Sequence, residues 1–376
     1  MNPAVALFWL SCLSVAPLAA AESADVLVYV GTYTGKGSEG IYIYRLDAST
    51  GALKPVGKAT GLSNPSFLAL DPKGRAVYAV REAGGPVGGV VALSRNRATG
   101  ELTILNDQPS GGRGPCYVAV DREGQFLLVA NYGSGSVALL PIAADGRLAP
   151  ATSVMQHEGS SVNPARQKAP HAHAFVFDPA NRFAFAPDLG IDKIMIYRLD
   201  RANGKLVPND PPFAQCEPGS GPRHFTFHPD GTRAYVIEEL SCTVTAFAYD
   251  GATGALKTVQ RISTLPKDFE GRNTCAEVQV HPSGRFLYGS NRGHDSIACF
   301  TIDGRTGALR ATGHVSTQGR TPRNFALDPS GTFLLAANQD TNTVVTFRIN
   351  QDTGELTPTG QVCQVPTPVC LKMVKP

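Results

Sequence analysis

The sequence offers no helical hydrophobic period of any strength along its 376 residues, which argues against a fold built on helices. Excess charge is missing too, and a formal net charge of +3 is too small to argue for a nucleic-acid partner. No cysteine belongs to a Cys-x-x-Cys pair or stands at metal-ligand spacing from a histidine, so no structural zinc is indicated. A Gly-x-Ser-x-Gly elbow is also absent, which disfavours a serine hydrolase. Gly133-Ser-Gly-Ser136 and Gly219-Ser-Gly221 read instead as loops between strands.

Only one apolar run is long. Ala4 to Leu18 carries no charge and leads into Leu18-Ala-Ala-Ala21 and Glu22, the shape of a secretory signal cleaved near Ala19 to Ala21. It falls short of the about 20 residues that a membrane span needs. Cys12 brings up a lipoprotein, but Trp9 sits where a lipobox calls for Leu. The expectation is a signal peptide over residues 1–21 and one domain over 22–376, periplasmic or secreted, with no membrane span. Seven cysteines remain after the signal: Cys116, Cys216, Cys242, Cys275, Cys299, Cys363 and Cys370. An odd number leaves at least one thiol over unless it pairs between chains, and most read as small apolar fillers of strands.

What is present is a repeat. Gly-x-Leu closes a turn at Gly51, Gly100, Gly146, Gly204, Gly254, Gly307 and Gly354. An acidic or His residue followed by a turn recurs at Asp71, Asp121, Asp178, His228, His281 and Asp328. Between these marks lie short alternating runs such as Ala76-Val-Tyr-Ala-Val80 and Leu102-Thr-Ile-Leu105, four to a repeat. Repeats of about 40 to 50 residues with four strands each are propeller blades. The first signature occurs once more than the second. Pro368-Val-Cys-Leu-Lys-Met-Val374 resembles the inner-strand opening Pro65-Ser-Phe-Leu-Ala-Leu70, so it supplies the inner strand missing before Val26. An all-β, seven-bladed propeller of antiparallel strands is predicted, closed by its C-terminal strand in the N-terminal blade, with no open sheet edge.

Closure sorts the loops. The Asp-Pro, His-Pro and Gly-x-Leu turns fall on one face, so function is expected on the other, around the channel mouth. Entries to inner strands there carry His171, His173, Arg223 and Arg323; exits from second strands carry Asn131, Asp188, Glu239, Arg292 and Asn338. Arg223 and Glu239 flank one hairpin and should be neighbours, as catalytic groups or as a buried structural ion pair. His171 and His173, spaced by two, share one side of a strand; that suits a metal pair, but no further ligand is near, and catalysis or substrate binding suits them better. Arg292 precedes Gly293-His-Asp295 and could equally be a solvated loop arginine. His228 and His281 take the place of Asp at the first turn and read as turn caps. His157 and Arg166 lie in the polar insertion Gln156 to Lys168, either a lid or a flexible loop.

Gly221-Pro-Arg-His-Phe with His228-Pro, Val236-Ile-Glu-Glu-Leu240, Ser290-Asn-Arg292 and Tyr29-Val-Gly-Thr-Tyr33 resemble the seven-bladed propeller lactonases, which include 6-phosphogluconolactonases and the carboxy-cis,cis-muconate cyclase. The resemblance covers essentially the whole mature chain. It implies a metal-independent site of a His, two Arg and a Glu, here His173 or its neighbour His171 with Arg223, Glu239 and Arg292, and no cofactor. Arg323, Asn131 and Asn338 are expected to bind substrate, a small lactone or acidic sugar. The lead expectation is a lactonase opening a sugar-acid lactone by general acid/base chemistry; a lactonising cyclase and a non-catalytic binding propeller are the alternatives.

Overall fold

A computed structural model describes residues 26–375 apart from Lys36 and residues 83–86; the expected signal peptide lies outside the described residues. The strands form seven four-stranded antiparallel sheets. Within each blade we letter the strands a to d from the channel outward. Blade 1 takes its a strand from Pro368–Val374 and its b, c and d strands from Val26–Thr32, Gly40–Leu46 and Leu53–Thr60. Val28 pairs with Met373 and Val30 with Leu371, so the ring closes as the repeat arithmetic requires.

Burial follows position in the blade. The b strands Val26–Thr32, Phe126–Asn131 and Phe333–Asn338 are buried along their whole length, because both faces of a middle strand meet a neighbouring blade. Such strands read as continuous apolar runs. Outer strands such as Leu53–Thr60 are mostly exposed and carry the alternating polar pattern. The core is therefore a set of clusters between successive blades, such as Tyr235, Ile237, Leu287 and Phe300 between blades 5 and 6.

The turns on the structural face staple the blades together. Tyr29, Tyr78, Tyr235 and Tyr288 each donate a buried hydroxyl to the carbonyl of the Gly-x-Leu glycine of the next blade, Gly100, Gly146, Gly307 and Gly354, at 2.8 to 3.0 Å. Gly354 holds φ +74° and a Cβ there would lie 2.4 Å from Phe286, so both the turn and the close approach require glycine. His228 and His281 cap their turns and reach the next blade, at 2.8 Å to the Gly284 carbonyl and 2.9 Å to the Gly331 carbonyl.

Candidate active site

Two positions in the repeat generate the site. The first is the entry to strand a. In blade 5, Pro222 pairs with Glu238 and His224 with Ile237, leaving Arg223 without a ladder partner. Blade 7 skips Arg323 and blade 3 skips Cys116 in the same way. Each skipped residue is a β-bulge, which breaks the strand's alternation and re-aims a side chain. His173 takes this place in blade 4, one residue after the bridge between Ala172 and Asp188. All four line one internal cavity.

The second position follows strand b. The b–c ladder ends at Arg81, Asn131, Glu238 and Asn291 in blades 2, 3, 5 and 6. The next residues, Glu82, Tyr132, Glu239 and Arg292, together with His173 and Arg323, border a cleft of about 380 Å³.

Alternation corrects two expectations. Asn131 and Asn338 stand one residue short of the cleft-facing position and are fully buried. Their amides donate to the Ser110 and Thr317 carbonyls at 2.9 and 3.0 Å, as Asn291 does to Thr264 at 2.8 Å. Three blades thus use the same Asn to tie down the loop that leads into strand a, and none of the three touches the cleft. His171 is also outside the lining. Its ring stacks on Tyr132 at 4.5 Å and its Nδ1 lies 3.0 Å from the Tyr132 carbonyl. His173 borders the cleft, edge-on to Tyr132 and to His224 at 5.3 and 5.4 Å. Asp188 is buried and held by His157 Nδ1 at 2.7 Å and by the His171 amide.

Glu239 is the hub. Arg223 Nε donates to its Oε2 at 3.0 Å, Arg292 Nη2 to the same oxygen at 2.8 Å, and Arg166 Nη2 to Oε1 at 2.7 Å. Burial favours the neutral acid, but the charges of Arg292 and Arg223 prevail and hold this carboxyl far below the usual range. Arg223 and Arg292 also donate to the Ala276 and Cys275 carbonyls, which fixes both guanidiniums. Arg323 donates to Tyr33 Oη at 3.1 Å, with its guanidinium over that ring, and has no carboxylate within ion-pair distance among the described residues. His173 is kept neutral: burial, then the charge of Arg223, takes its pKa well below 6.5. Its Nδ1 lies 3.8 Å from Cys116 Sγ.

Three guanidiniums, those of Arg166, Arg292 and Arg323, thus face two carboxylates, Glu239 and Glu82, in one partly closed cleft, with Arg223 in the internal cavity beneath. Such a cleft attracts an anion and stabilises developing negative charge on oxygen. No group of three or more His, Cys, Asp or Glu among the described residues is arranged to hold a metal ion.

Sequence reasoning passed over Tyr132 and Glu82 and left Arg166 in an insertion that could be a lid or a flexible loop. The insertion bearing Arg166 is pinned beneath by Gln167, fully buried and bonded to the Leu189 carbonyl and Asp192, so it forms a fixed wall of the cleft. Glu82 had a signal: Val80-Arg-Glu82 stands in its blade as Ile237-Glu-Glu239 does in blade 5.

Residues 27–373 match the family described as lactonase, 7-bladed β-propeller. A 6-phosphogluconolactonase of Bacillus subtilis is 41% identical over 300 residues, 80% of this chain and 84% of that protein. A 6-phosphogluconolactonase of Formosa agariphila is 35% identical over 306 residues, 80% of this chain and 86% of that protein. The solved structure of the periplasmic gluconolactonase of Pseudomonas aeruginosa superposes with a TM-score of 0.88 at 37% identity, covering 94% of this chain and all of that one. With its ring of seven blades and its arginine-rich mouth, the chain belongs to the seven-bladed β-propeller lactonase family.

Proposed function

We propose that this protein is a lactone hydrolase that opens a sugar-acid lactone of the gluconolactone type, without a metal, at the channel mouth. The observation that carries the reading is the clamp of Arg166, Arg223 and Arg292 on Glu239, with Arg323 beside it. Ester opening places negative charge on the carbonyl oxygen, and fixed guanidiniums in the cleft stabilise it without reorganising. Arg292 Nε is buried and has no partner among the described residues, so one donor remains for that oxygen. Arg323 anchors an acidic or polyhydroxylated substituent. His173, neutral, bonds the lactone group. Glu239 holds the arginines in place; a carboxylate so strongly stabilised is a poor proton acceptor.

Metal independence is supported by charge, since a divalent cation would enter against the guanidiniums of Arg166, Arg292 and Arg323. A periplasmic location is supported by the apolar N-terminal run and by the likeness to a periplasmic gluconolactonase. The test is proton release from glucono-δ-lactone, 6-phosphogluconolactone and other sugar lactones, with spontaneous opening subtracted, with and without chelator. Chelator-resistant acceleration that Arg223→Ala removes, at a temperature where that variant is shown to be folded, supports the reading. Absence of acceleration on every lactone refutes it.

A further inference from the structure

Lactone opening needs a group that takes a proton from water, and the residues above leave that task unfilled. Glu239 is spent on three arginines, and His173 is too weakly basic to accept a proton with any force. From the cleft geometry we propose that Glu82 is the proton-transfer residue of the site, the base that activates the attacking water and then the acid that protonates the leaving ring oxygen. This rests on the lactonase reading.

Its place in the repeat, its surroundings and its partners support the assignment. Glu82 occupies in blade 2 the repeat position that Glu239 occupies in blade 5, directly after strand b. It borders the same cleft as His173, Arg292 and Arg323, and also the internal cavity beneath it. No Arg or Lys lies within ion-pair distance of it among the described residues, in contrast to Glu239. Its side-chain hydrogen-bond partner among the described residues is Ser66, whose Oγ–H donates to Oε2. That bond orients the carboxylate without removing its basicity as a guanidinium would. Its backbone is fixed by Asn64, whose side chain donates to the Glu82 carbonyl at 3.0 Å. Burial raises its pKa above the ordinary value of 4.5, only partly offset by Ser66 and Arg323. The two carboxyls of the cleft are thus driven in opposite directions, the arrangement that assigns proton transfer to one and electrostatic support to the other.

The step balances. As the water oxygen bonds to the lactone carbonyl carbon, one water proton passes to Glu82 and the carbonyl π pair moves to the oxygen held by Arg292. On collapse the ring C–O bond breaks, and the departing oxygen takes that proton back from Glu82. The product is a hydroxy acid, which releases its own proton to solution, and Glu82 returns as carboxylate.

The experiment compares wild type, Glu82→Gln and Glu82→Asp on glucono-δ-lactone between pH 5 and 8, with melting temperatures measured alongside. Glu82→Gln should lower kcat by roughly 100-fold or more, the range typical of a lost acid–base group, with KM changed less than about 3-fold, and should abolish the fall in kcat at acid pH. Glu82→Asp should recover part of the rate and keep that fall. If Glu82→Gln does not fold, the Asp variant decides, since a folded Asp variant with unchanged kcat and pH profile overturns the assignment. A Gln variant within about 3-fold of wild type in kcat, or one that keeps the acid limb, also overturns it while leaving the lactonase reading intact. A wild type inert on every lactone removes both.

Discussion

Arg223 donates from Nε to Glu239 Oε2 at 3.0 Å from a residue that has no partner in its own strand ladder. The bulge and the ion pair are one device: the bulge frees the guanidinium from the sheet, and the carboxylate stops it turning away. Both side chains are almost wholly buried, so each depends on the other for its charge. Removing one partner of a buried pair typically costs about 3 to 5 kcal/mol. Glu239→Gln should lower stability by about that much and bring kcat down at least tenfold, because Arg166, Arg223 and Arg292 then repel one another. Urea denaturation and steady-state rates check this, and a variant of unchanged stability would show that the clamp is not held by its carboxylate.

The depressed pKa of Glu239 sets a sign for the pH dependence of stability. A carboxyl whose folded pKa lies below its unfolded value contributes stability that is full above the unfolded value, about 4.3, and is lost as the pH falls toward the folded one. The melting temperature should therefore fall on acidification below about pH 4.5, and fall less steeply in Glu239→Gln. Parallel melting curves for the two proteins from pH 6 to 3 would contradict the assignment.

Arg323 has only Tyr33 Oη as a side-chain partner among the described residues, and its loss leaves no buried carboxylate bare. Arg323→Gln should raise KM for an acidic or phosphorylated lactone about tenfold, with a smaller effect on an uncharged one. Equal effects on both substrates would remove it from the anion-binding role.

Asn131 and Asn338 test the correction to the sequence reading. Either Asn→Ala change leaves a loop carbonyl without its buried donor, a loss of about 1 to 3 kcal/mol. KM and kcat should stay within about 2-fold at temperatures where the variant is folded. A selective rise in KM would return these residues to the substrate.

The fold was legible because one turn is nearly invariant within the chain. Each Gly-x-Leu needs a glycine at positive φ, from Gly51 at +77° to Gly354 at +74°, and no other residue hides that requirement. The cluster that the structure brings together was legible only where chemistry is concentrated at strand ends, as at His173, Arg223, Glu239, Arg292 and Arg323. Period-two alternation then turns a one-residue error into the opposite face, which is how Asn131 and Asn338 were drawn in and Tyr132 and Glu82 passed over. Arg166 was beyond reach for another reason. Its insertion has no counterpart in the other blades, and its position is set by Gln167 and Asp192, a contact without sequence period.

The strand pairing of Val26–Thr32 with Pro368–Val374 joins segments from opposite ends of the chain, and it sits inside the blade beside Arg323. Arg323 leans on Tyr33, the residue just beyond that first strand, and the Tyr33 carbonyl accepts the Thr367 hydroxyl at 2.6 Å. The corner of the cleft that holds Arg323 is therefore assembled only when the circle is sealed. Pairing over such a distance must repay a large loop-closure entropy before it is rewarded, so a chain with its blades formed but its seam open would be nearly native in secondary structure and still inactive. Completion of the ring and completion of the cleft are here the same event.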